Sequence, residues 1–541
     1  MLMPRVRLQP SSAILEREIE PRAPASADPR RAQRKRTGAA FVAGKAFTRP
    51  SFDARGPLPL PPRAACARWR SRFCYRLLVA LLCAPGRSDD PYAAARELSR
   101  RMCETMRVVA DVPGFSVSVA ADGRIVFSEG FGWADLEQRV PVTPRTRFRT
   151  GSIAKPISAA AVAWLHERGQ IDIDAPLHRY LPDLPEHVRE ITVRQLAGHL
   201  SGVRHYNAAD PRDALHGEHF GAARDTLKRF INDPLVDEPG AGRRYTTYGY
   251  VLLSAAAEGA TQRDFGPLLE DTILRPLGLR GTAVVDPANM MSDRTSFYQR
   301  DAQGRITNAP YADMSYKIAG GGLLSTSDDL VTFATALMQP GFFKQETLDL
   351  LFTSMTTAAG KPTGYGFGWD VRADESGRRT FGHNGGQLGC RTALVAYPEQ
   401  RVAVAIMNNM GGAPIGEHEA RIIANLFIHA RDGQPPAPVE LDLEGVHDLT
   451  FTLRGDEYRG WLALSGRGWE ARGEAVAACE GEPTLRATLA GAFSEGDAVR
   501  LVLMHAQHGA GVLRLKGDRD ALEGDFYAAP DYGAASLRRR P

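Results

Sequence analysis

The sequence predicts an α/β domain, an antiparallel sheet flanked by helices, followed by a small C-terminal antiparallel β domain. Three observations predict it. Strand-like segments stand at both ends of the stretch 91–432, with helix-like segments between them. A Pro- and Gly-rich break, Gly433-Gln434-Pro435-Pro436-Ala437-Pro438, makes 433–438 a linker. Beyond it, over 439–541, short alternating segments are separated by Gly, Asp and Pro, the pattern of a small sandwich or barrel. The 541 residues, 43% of them hydrophobic, suffice for two or three domains with real cores.

The chain begins differently. Residues 1–72 are rich in Arg, Pro and Ala and hold no sustained period of 2 or 3.6, so 1–76 reads as an unfolded basic segment. Arg68, Arg70, Arg72 and Arg76 then lead into Leu77-Leu78-Val79-Ala80-Leu81-Leu82-Cys83-Ala84 and Pro85-Gly86-Arg87-Ser88. A basic region, a short apolar run and small residues make the pattern of a secretory signal near 68–88, with the apolar run and cleavage region over 77–90. Eight apolar residues are too few to span a bilayer, which takes about 20. The expectation is an exported protein, periplasmic or secreted. Export signals act at an N-terminus, so either translation starts near 65–76 and the upstream part is read-through, or the extension is genuine. Leu82 before Cys83 argues against a lipoprotein signal.

Charge narrows the partners. Residues 1–76 hold 17 Arg or Lys against five Asp or Glu, so of the formal +4 the remaining 465 residues carry −8. That argues against nucleic acid or an anionic membrane surface as a partner. Of the six cysteines, 66, 74 and 83 fall in or before the signal, and Cys103, Cys390 and Cys479 are too widely spaced for a disulfide framework or a metal site.

The elements follow in order. Gly114-Phe115-Ser116-Val117-Ser118-Val119-Ala120 alternates, Asp122-Gly123 supplies a hairpin turn, and Ile125-Val126-Phe127 returns. Ile157, Ala160, Ala161, Trp164 and Leu165 recur at helical spacing over 152–169, with Gly169 closing the helix. Residues 391–398 and 401–408 form an antiparallel pair, and a helix with Ile422, Ile423, Leu426 and Phe427 on one face closes the domain. The β segments beyond the linker are 450–453, 461–464, 485–489, 499–503, 512–515 and 525–527.

Three short stretches carry candidate chemistry. In Ser152-Ile153-Ala154-Lys155 the i, i+3 spacing puts an amine beside a hydroxyl at the start of a helix, whose N-terminus favours charge developing on an attacking oxygen. Burial or neighbouring cations would have to lower the Lys pKa from about 10.4 for it to accept a proton. In Tyr245-Thr246-Thr247 a phenol near that pair can pass a proton to a leaving group, with a cation beside it stabilising the phenolate. In Phe381-Gly382-His383-Asn384-Gly385-Gly386 glycines at a strand edge admit a substrate to the backbone, where an N–H can hold an oxyanion. Each has a plain structural alternative: a helix cap, a core tyrosine, a packed histidine. Other chemistries fit less well. No G-x-S-x-G elbow or H-E-x-x-H helix occurs, His216 and His219 have no further ligands, and Gly38 to Lys45 misses phosphate-loop spacing, so neither metal nor cofactor is expected.

The order S-x-x-K, Y-x-x, H-x-G resembles the serine hydrolases of the penicillin-binding protein and class C β-lactamase clan. Within it the chain is most similar to the serine β-lactamase-like proteins. The likeness extends to Glu129-Gly130-Phe131-Gly132-Trp133-Ala134-Asp135, Gly198-His199-Leu200-Ser201-Gly202-Val203-Arg204-His205-Tyr206 and Ser315-Tyr316-Lys317-Ile318-Ala319-Gly320-Gly321-Gly322-Leu323-Leu324-Ser325-Thr326, and covers about residues 100–430. It implies a β-lactamase/transpeptidase-like fold with a helical subdomain. It makes Ser152 the acylated nucleophile, Lys155 its proton acceptor and Tyr245 the acid-base residue. Thr247, His383, Gly385 and Gly386 become substrate-binding, with the N–H groups of Ser152 and Gly386 as the oxyanion hole. Two positions depart from the β-lactamases: Thr247 replaces an Asn, and His383 replaces the Lys of K-T-G. A shorter hydroxyl reaches less far and a neutral imidazole attracts a carboxylate less than an ammonium does. The reading is therefore a peptidase- or esterase-like serine hydrolase acting through an acyl-enzyme on a small-molecule or peptide substrate. A β-lactamase, and a non-catalytic envelope scaffold or filament-forming protein, are the alternatives, and a homo-oligomer is compatible with all of them.

Overall fold

The computed structural model describes residues 90–540 apart from 208, 209, 211, 212 and 214–216. The basic segment, the apolar run, Cys66, Cys74, Cys83 and His216 lie outside the described residues. Among those described, no helix is long and apolar enough to cross a membrane.

The chain enters through helix α1 (Ala93–Val109) and a hairpin of β1 (Gly114–Ala121) and β2 (Arg124–Asp135). Asp122 and Gly123 both take positive φ, 48° and 82°, as a two-residue turn matched to strand twist requires. With β3 (Val140–Pro141), β4 (Asp370–Ala373), β5 (Arg379–Gln387), β6 (Cys390–Tyr397) and β7 (Val402–Asn408) they form one antiparallel sheet in the order β3-β2-β1-β7-β6-β5-β4. The pairing of β1 with β7, from Phe115 opposite Asn408 to Ala121 opposite Val402, joins the two ends of the α/β part.

Both sheet faces are covered. Leu394, Ala396, Ala403, Ala405 and Met407 point into a core shared with α2 (Ala154–Glu167), α3 (Thr247–Thr261) and α4 (Ser327–Ala336). Val395, Tyr397, Val402, Val404 and Ile406 point into a second core with α1 and α5 (Glu417–Arg431). Alternate side chains thus meet different apolar layers, and every residue of β1 and β7 is buried. The expected helix over 152–169 starts later than its pattern indicates: Gly151–Ile153 is a 3₁₀ turn, α2 begins at Ala154, and Gly169 with φ 68° follows its end.

Beyond α5 the choice between sandwich and barrel resolves to a closed eight-stranded barrel, β8 (Gly445–Leu453), β9 (Asp456–Ser465), β10 (Arg472–Ala478), β11 (Leu485–Glu495), β12 (Ala498–His505), β13 (Gly509–Gly517), β14 (Ala521–Ala528) and β15 (Asp531–Arg539). Pairing of β8 with β15 closes it, leaving no free edge. Leu449, Phe451, Leu462, Leu501, Leu513 and Leu537 fill the interior. The stretch 433–438 does not hang free, because Ala437 pairs with Ser494 of β11. The barrel's outer face, through Phe493, Val502, Met504 and Val512, joins the α1/α5 core. Gly491 lies so close to α1 that a Cβ there would sit 2.9 Å from Met102 Cγ.

Glu419 ties the two parts by hydrogen bonds. Its Oε2 accepts the Gly416 N–H at the start of α5 (2.7 Å), and its Oε1 accepts the Ala510 N–H of β13 (2.8 Å), at a site 4% exposed. Glu419→Ala leaves two buried donors unpaired and is expected to cost about 2–5 kcal/mol, with Glu419→Gln costing less because one acceptor remains. Urea unfolding of the three proteins reads this directly, and an unchanged midpoint in Glu419→Ala would show that the junction does not depend on the carboxylate.

Candidate active site

Ser152 sits in the 3₁₀ turn that precedes α2, and Lys155 one turn on, so their side chains meet: Lys155 Nζ is 3.1 Å from Ser152 Oγ. The same amine donates to Thr247 Oγ1 at the start of α3 (3.2 Å) and to the Gly320 carbonyl (2.9 Å) in the short helix Ile318–Gly321. Lys155 is fully buried. Burial, and then the charge of nearby Lys317, hold its pKa well below that of an ordinary lysine. A neutral amine has two N–H donors and one lone pair. The Gly320 carbonyl can only accept and Thr247 Oγ1 can accept, which turns the lone pair toward the Ser152 hydroxyl. Gly320 is tight here: a Cβ would come within 2.6 Å of Thr247 Cγ2.

Tyr245 is set by the cap of α3. Thr246 accepts the Gly249 N–H (3.0 Å) and donates its hydroxyl to the Arg204 carbonyl (2.7 Å), fixing the residue before the helix. Tyr245 is 36% exposed, and the Ser152 hydroxyl close to its phenol favours the ionised form. Desolvation outweighs that effect and raises the phenol pKa. Lys155 Nζ stands 4.8 Å from the ring centroid, yet the phenol pKa is raised by desolvation, so Tyr245 keeps its proton near neutral pH. This differs from the sequence expectation of a cation-stabilised phenolate.

Three histidines buttress this segment. His199 Nδ1 accepts the Thr246 N–H (3.2 Å) and His205 Nδ1 the Thr247 N–H (2.9 Å). His199 packs on the rings of Tyr245, Tyr250 and Tyr365 at 4.3, 5.3 and 4.9 Å. His383, 4% exposed, lies behind Tyr245. Its Nδ1 donates to the Asn384 carbonyl (2.6 Å), so Nε2 accepts from the Tyr365 hydroxyl (3.1 Å). Both nitrogens have protein partners, unlike the substrate-facing imidazole that the resemblance implies; a side chain placed between β6 and Tyr365 has no free polar atom to offer.

The edge of β5 comes to Ser152 through missing side chains. A Cβ at Gly385 would lie 2.0 Å from the Thr150 carbonyl and from Thr392 Oγ1, and one at Gly151 would lie 2.6 Å from the Gly386 nitrogen. Through the gap at Gly385 the Thr392 hydroxyl reaches across from β6 and donates to the Thr150 carbonyl (2.7 Å). β4 pairs with β5 only as far as Gly382, which leaves the edge at 383–387 open on the Ser152 side.

Ser152, Lys155, Tyr245 and Thr247 therefore converge with the Gly385–Gly386 edge. The roles of His199, His205, Gly320 and Lys317 were not separable in the sequence. They lie in the two longer stretches that resemble the family, and only the fold brings those stretches to the lysine.

The sequence matches the Beta-lactamase family over residues 101–426. The chain belongs to that family. The mitochondrial serine beta-lactamase-like protein LACTB of Homo sapiens is 30% identical over 410 residues, covering 59% of this chain and 75% of that protein. The D-aminopeptidase of Gluconobacter oxydans (strain 621H) is 28% identical over 317 residues, 58% of each. Among solved structures, a D-stereospecific amidohydrolase from a Streptomyces species superposes with a TM-score of 0.52 at 25% identity, over 60% of this chain and 97% of that one. The fold is thus β-lactamase/transpeptidase-like with a C-terminal barrel.

Burial holds all three histidines neutral, with the pKa well below normal for His199 and at about 4 for His205 and His383. Unfolding returns each to about 6.5. The unfolded chain then binds more protons, so the stability present above pH 6.5 is lost as pH falls from there toward 4. By pH 5 the loss is roughly 1–2 kcal/mol for each of His205 and His383. Denaturant unfolding at pH 7.5 and at pH 5 tests this, and equal stability at the two would contradict a neutral buried set.

Proposed function

We propose that the protein is a serine hydrolase that cleaves an amide, peptide or ester through an acyl-enzyme on Ser152. The observation that carries the reading is Ser152 Oγ 3.1 Å from the fully buried Lys155 amine, whose pKa burial pulls well down, with the Tyr245 phenol close by. Ser152 Oγ attacks the carbonyl carbon while its proton passes to the Lys155 lone pair. The carbonyl oxygen takes the charge and is met by the N–H groups of Ser152 and Gly386. When the C–N or C–O bond breaks, Tyr245 gives its proton to the leaving group and recovers one from the Lys155 ammonium. Water then attacks the ester by the same steps in reverse, its proton restoring the Ser152 hydroxyl.

Two relatives, a D-aminopeptidase and a D-stereospecific amidohydrolase, support an amide or peptide over a β-lactam. So does the chemistry of the two departures. Thr247 is engaged with Lys155, and the His383 imidazole offers no charge to a β-lactam carboxylate.

Ser152→Ala is expected to abolish fluorophosphonate labelling without loss of fold, and Lys155→Ala to slow acylation by several orders of magnitude. A hydrogen bond to a charged group contributes about 1.5–3 kcal/mol, so nitrocefin turnover is expected to be roughly ten- to a hundredfold below that of a dedicated β-lactamase. p-Nitrophenyl acetate should still be cleaved. Undiminished labelling of Ser152→Ala would move the nucleophile elsewhere, and fast nitrocefin turnover with little esterase activity would make the protein a β-lactamase.

We also infer export from the basic and apolar pattern of residues 68–88. N-terminal sequencing of the secreted protein is expected to read a start between about residues 84 and 90. Unprocessed material confined to the cytoplasm would refute it.

A further inference from the structure

Beside the Ser152–Lys155 pair lies a concentration of positive charge that the proposed reaction does not use. Lys317, on the turn Ser315–Lys317, is 5% exposed. Its Nζ lies 5.4 Å over the Tyr206 ring and 5.2 Å over the Tyr316 ring, and makes no hydrogen bond or ion pair with any described residue. Arg149, 6% exposed and two residues before Gly151, stacks on Phe297 at 3.9 Å and donates to the Leu388 carbonyl (2.9 Å), while its Nε has no partner. With Lys155 that makes three buried basic side chains, and among the described residues no carboxylate pairs with any of them. Elsewhere half-buried and buried cations are paired: Arg204 meets Asp213 and Asp233, Arg378 meets Asp374, and the buried Arg421 meets Glu417.

The space beside Lys317 is shaped by a glycine and an unpaired acceptor. A Cβ at Gly321 would lie in ordinary contact, 3.4 Å from Gln387 Oε1 and 3.5 Å from Lys317 Cε, so both side chains border this glycine and its lack of a side chain leaves methyl-sized room between them. Gln387 Nε2 donates to the Gly321 carbonyl (3.2 Å), and its Oε1 is buried without a partner. That room is one residue beyond Gly320, whose carbonyl holds Lys155, and one residue along β5 from Gly386. Burial brings the Lys317 pKa down to about 8, which leaves it mostly charged at pH 7, and pulls the Lys155 pKa well below that of an ordinary lysine.

The geometry points to a carboxylate-binding subsite formed by Lys317, Gly321 and Gln387, which selects substrates whose acyl portion ends in a free carboxylate. The ammonium supplies the counter-charge, and Gln387 Oε1 accepts an N–H or O–H from the same acyl group. The subsite lies on the Gly320 wall of the cleft. Tyr245, with its backing of His199 and His383, forms another wall, from which the leaving group is protonated. The inference rests on the serine hydrolase reading, so its test has one arm that needs no turnover.

In the first arm, kcat/KM of the full chain is measured on mono-p-nitrophenyl adipate and on p-nitrophenyl hexanoate. The intact protein is expected to favour the carboxylate ester by about ten- to a hundredfold. Lys317→Met should bring the ratio near one, and Lys317→Arg should keep most of it. In the second arm, monomethyl adipate and methyl hexanoate are titrated calorimetrically into Ser152→Ala protein, where only the first should bind measurably, and adding Lys317→Met should remove that binding. Replacing a buried unpaired ammonium by an apolar side chain of like length does not threaten the fold, and a thermal melt checks it. Equal efficiency on the two esters, or a preference that survives Lys317→Met, overturns the subsite. Absence of all turnover with adipate binding intact overturns the hydrolase reading and leaves the subsite standing.

Discussion

One amine organises this site. Lys155 is a fully buried basic group that pairs with no acid among the described residues, and its three polar neighbours come from three separate stretches: Ser152 one turn back, Thr247 at the start of α3, and Gly320 in a short helix. A charged ammonium in that place would lack a counter-ion among the described residues, and burial shifts the balance toward the uncharged form. The neutral form fits its neighbours, with two donors met by two oxygens and a lone pair left for the serine hydroxyl. Any shift of α3 or of 318–321 relative to α2 would leave a buried donor unpaired. The packing of the α2/α3/α4 layer is therefore also what sets the state of the nucleophile.

The sheet contributes the other half by approaching closely. β5 is the strand whose outer edge is open at 383–387, and glycine at 385 lets Thr392 of the neighbouring strand reach through to the Thr150 carbonyl. That bond ties the turn carrying Ser152 to the sheet, across a distance no side chain at 385 would allow. Both faces of the sheet are buried, one under α2, α3 and α4, the other under α1, α5 and the barrel wall. The barrel completes the layer behind the strands.

The motif-bearing residues were legible in the sequence because their neighbours are local or adjoin a strong pattern. Ser152 and Lys155 are one turn apart, and Tyr245 stands two residues before an apolar helix. The hairpin at Asp122-Gly123 and the β6–β7 pair were legible for the same reason. What could not be read was long-range. His383 read as a substrate residue since its stretch resembles a family motif, yet its ring hydrogen-bonds Tyr365, 18 positions away in the chain. Two barrel strands, Arg472–Ala478 and Asp531–Arg539, escaped notice because both are rich in Ala, Gly and charged residues, with too little apolar alternation to register. The delayed start of α2 depends on the positive φ of Gly151, which only the packing of Gly151 against Gly386 requires.

The abundance of histidine around a lysine-based site also has a physical reason. In a site whose base must stay uncharged, a nearby carboxylate would be harmful, since it would raise the lysine pKa and favour the ammonium. Backbone N–H groups at the Tyr245–Thr247 bend still need buried acceptors, and a neutral imidazole nitrogen supplies one without negative charge. His199 and His205 fill that need at Thr246 and Thr247. Lys317 works in the same direction from the other side, its positive charge pressing Lys155 further toward the neutral form. The acids of this region are paired: Asp213 with Arg204 and Tyr248, Asp313 with His219, and Asp370, whose charge reaches Tyr245 and His383, with Arg243 and Arg372. Excluding unpaired negative charge from the innermost layer is thus the condition under which a lysine can accept a proton from a serine near neutral pH.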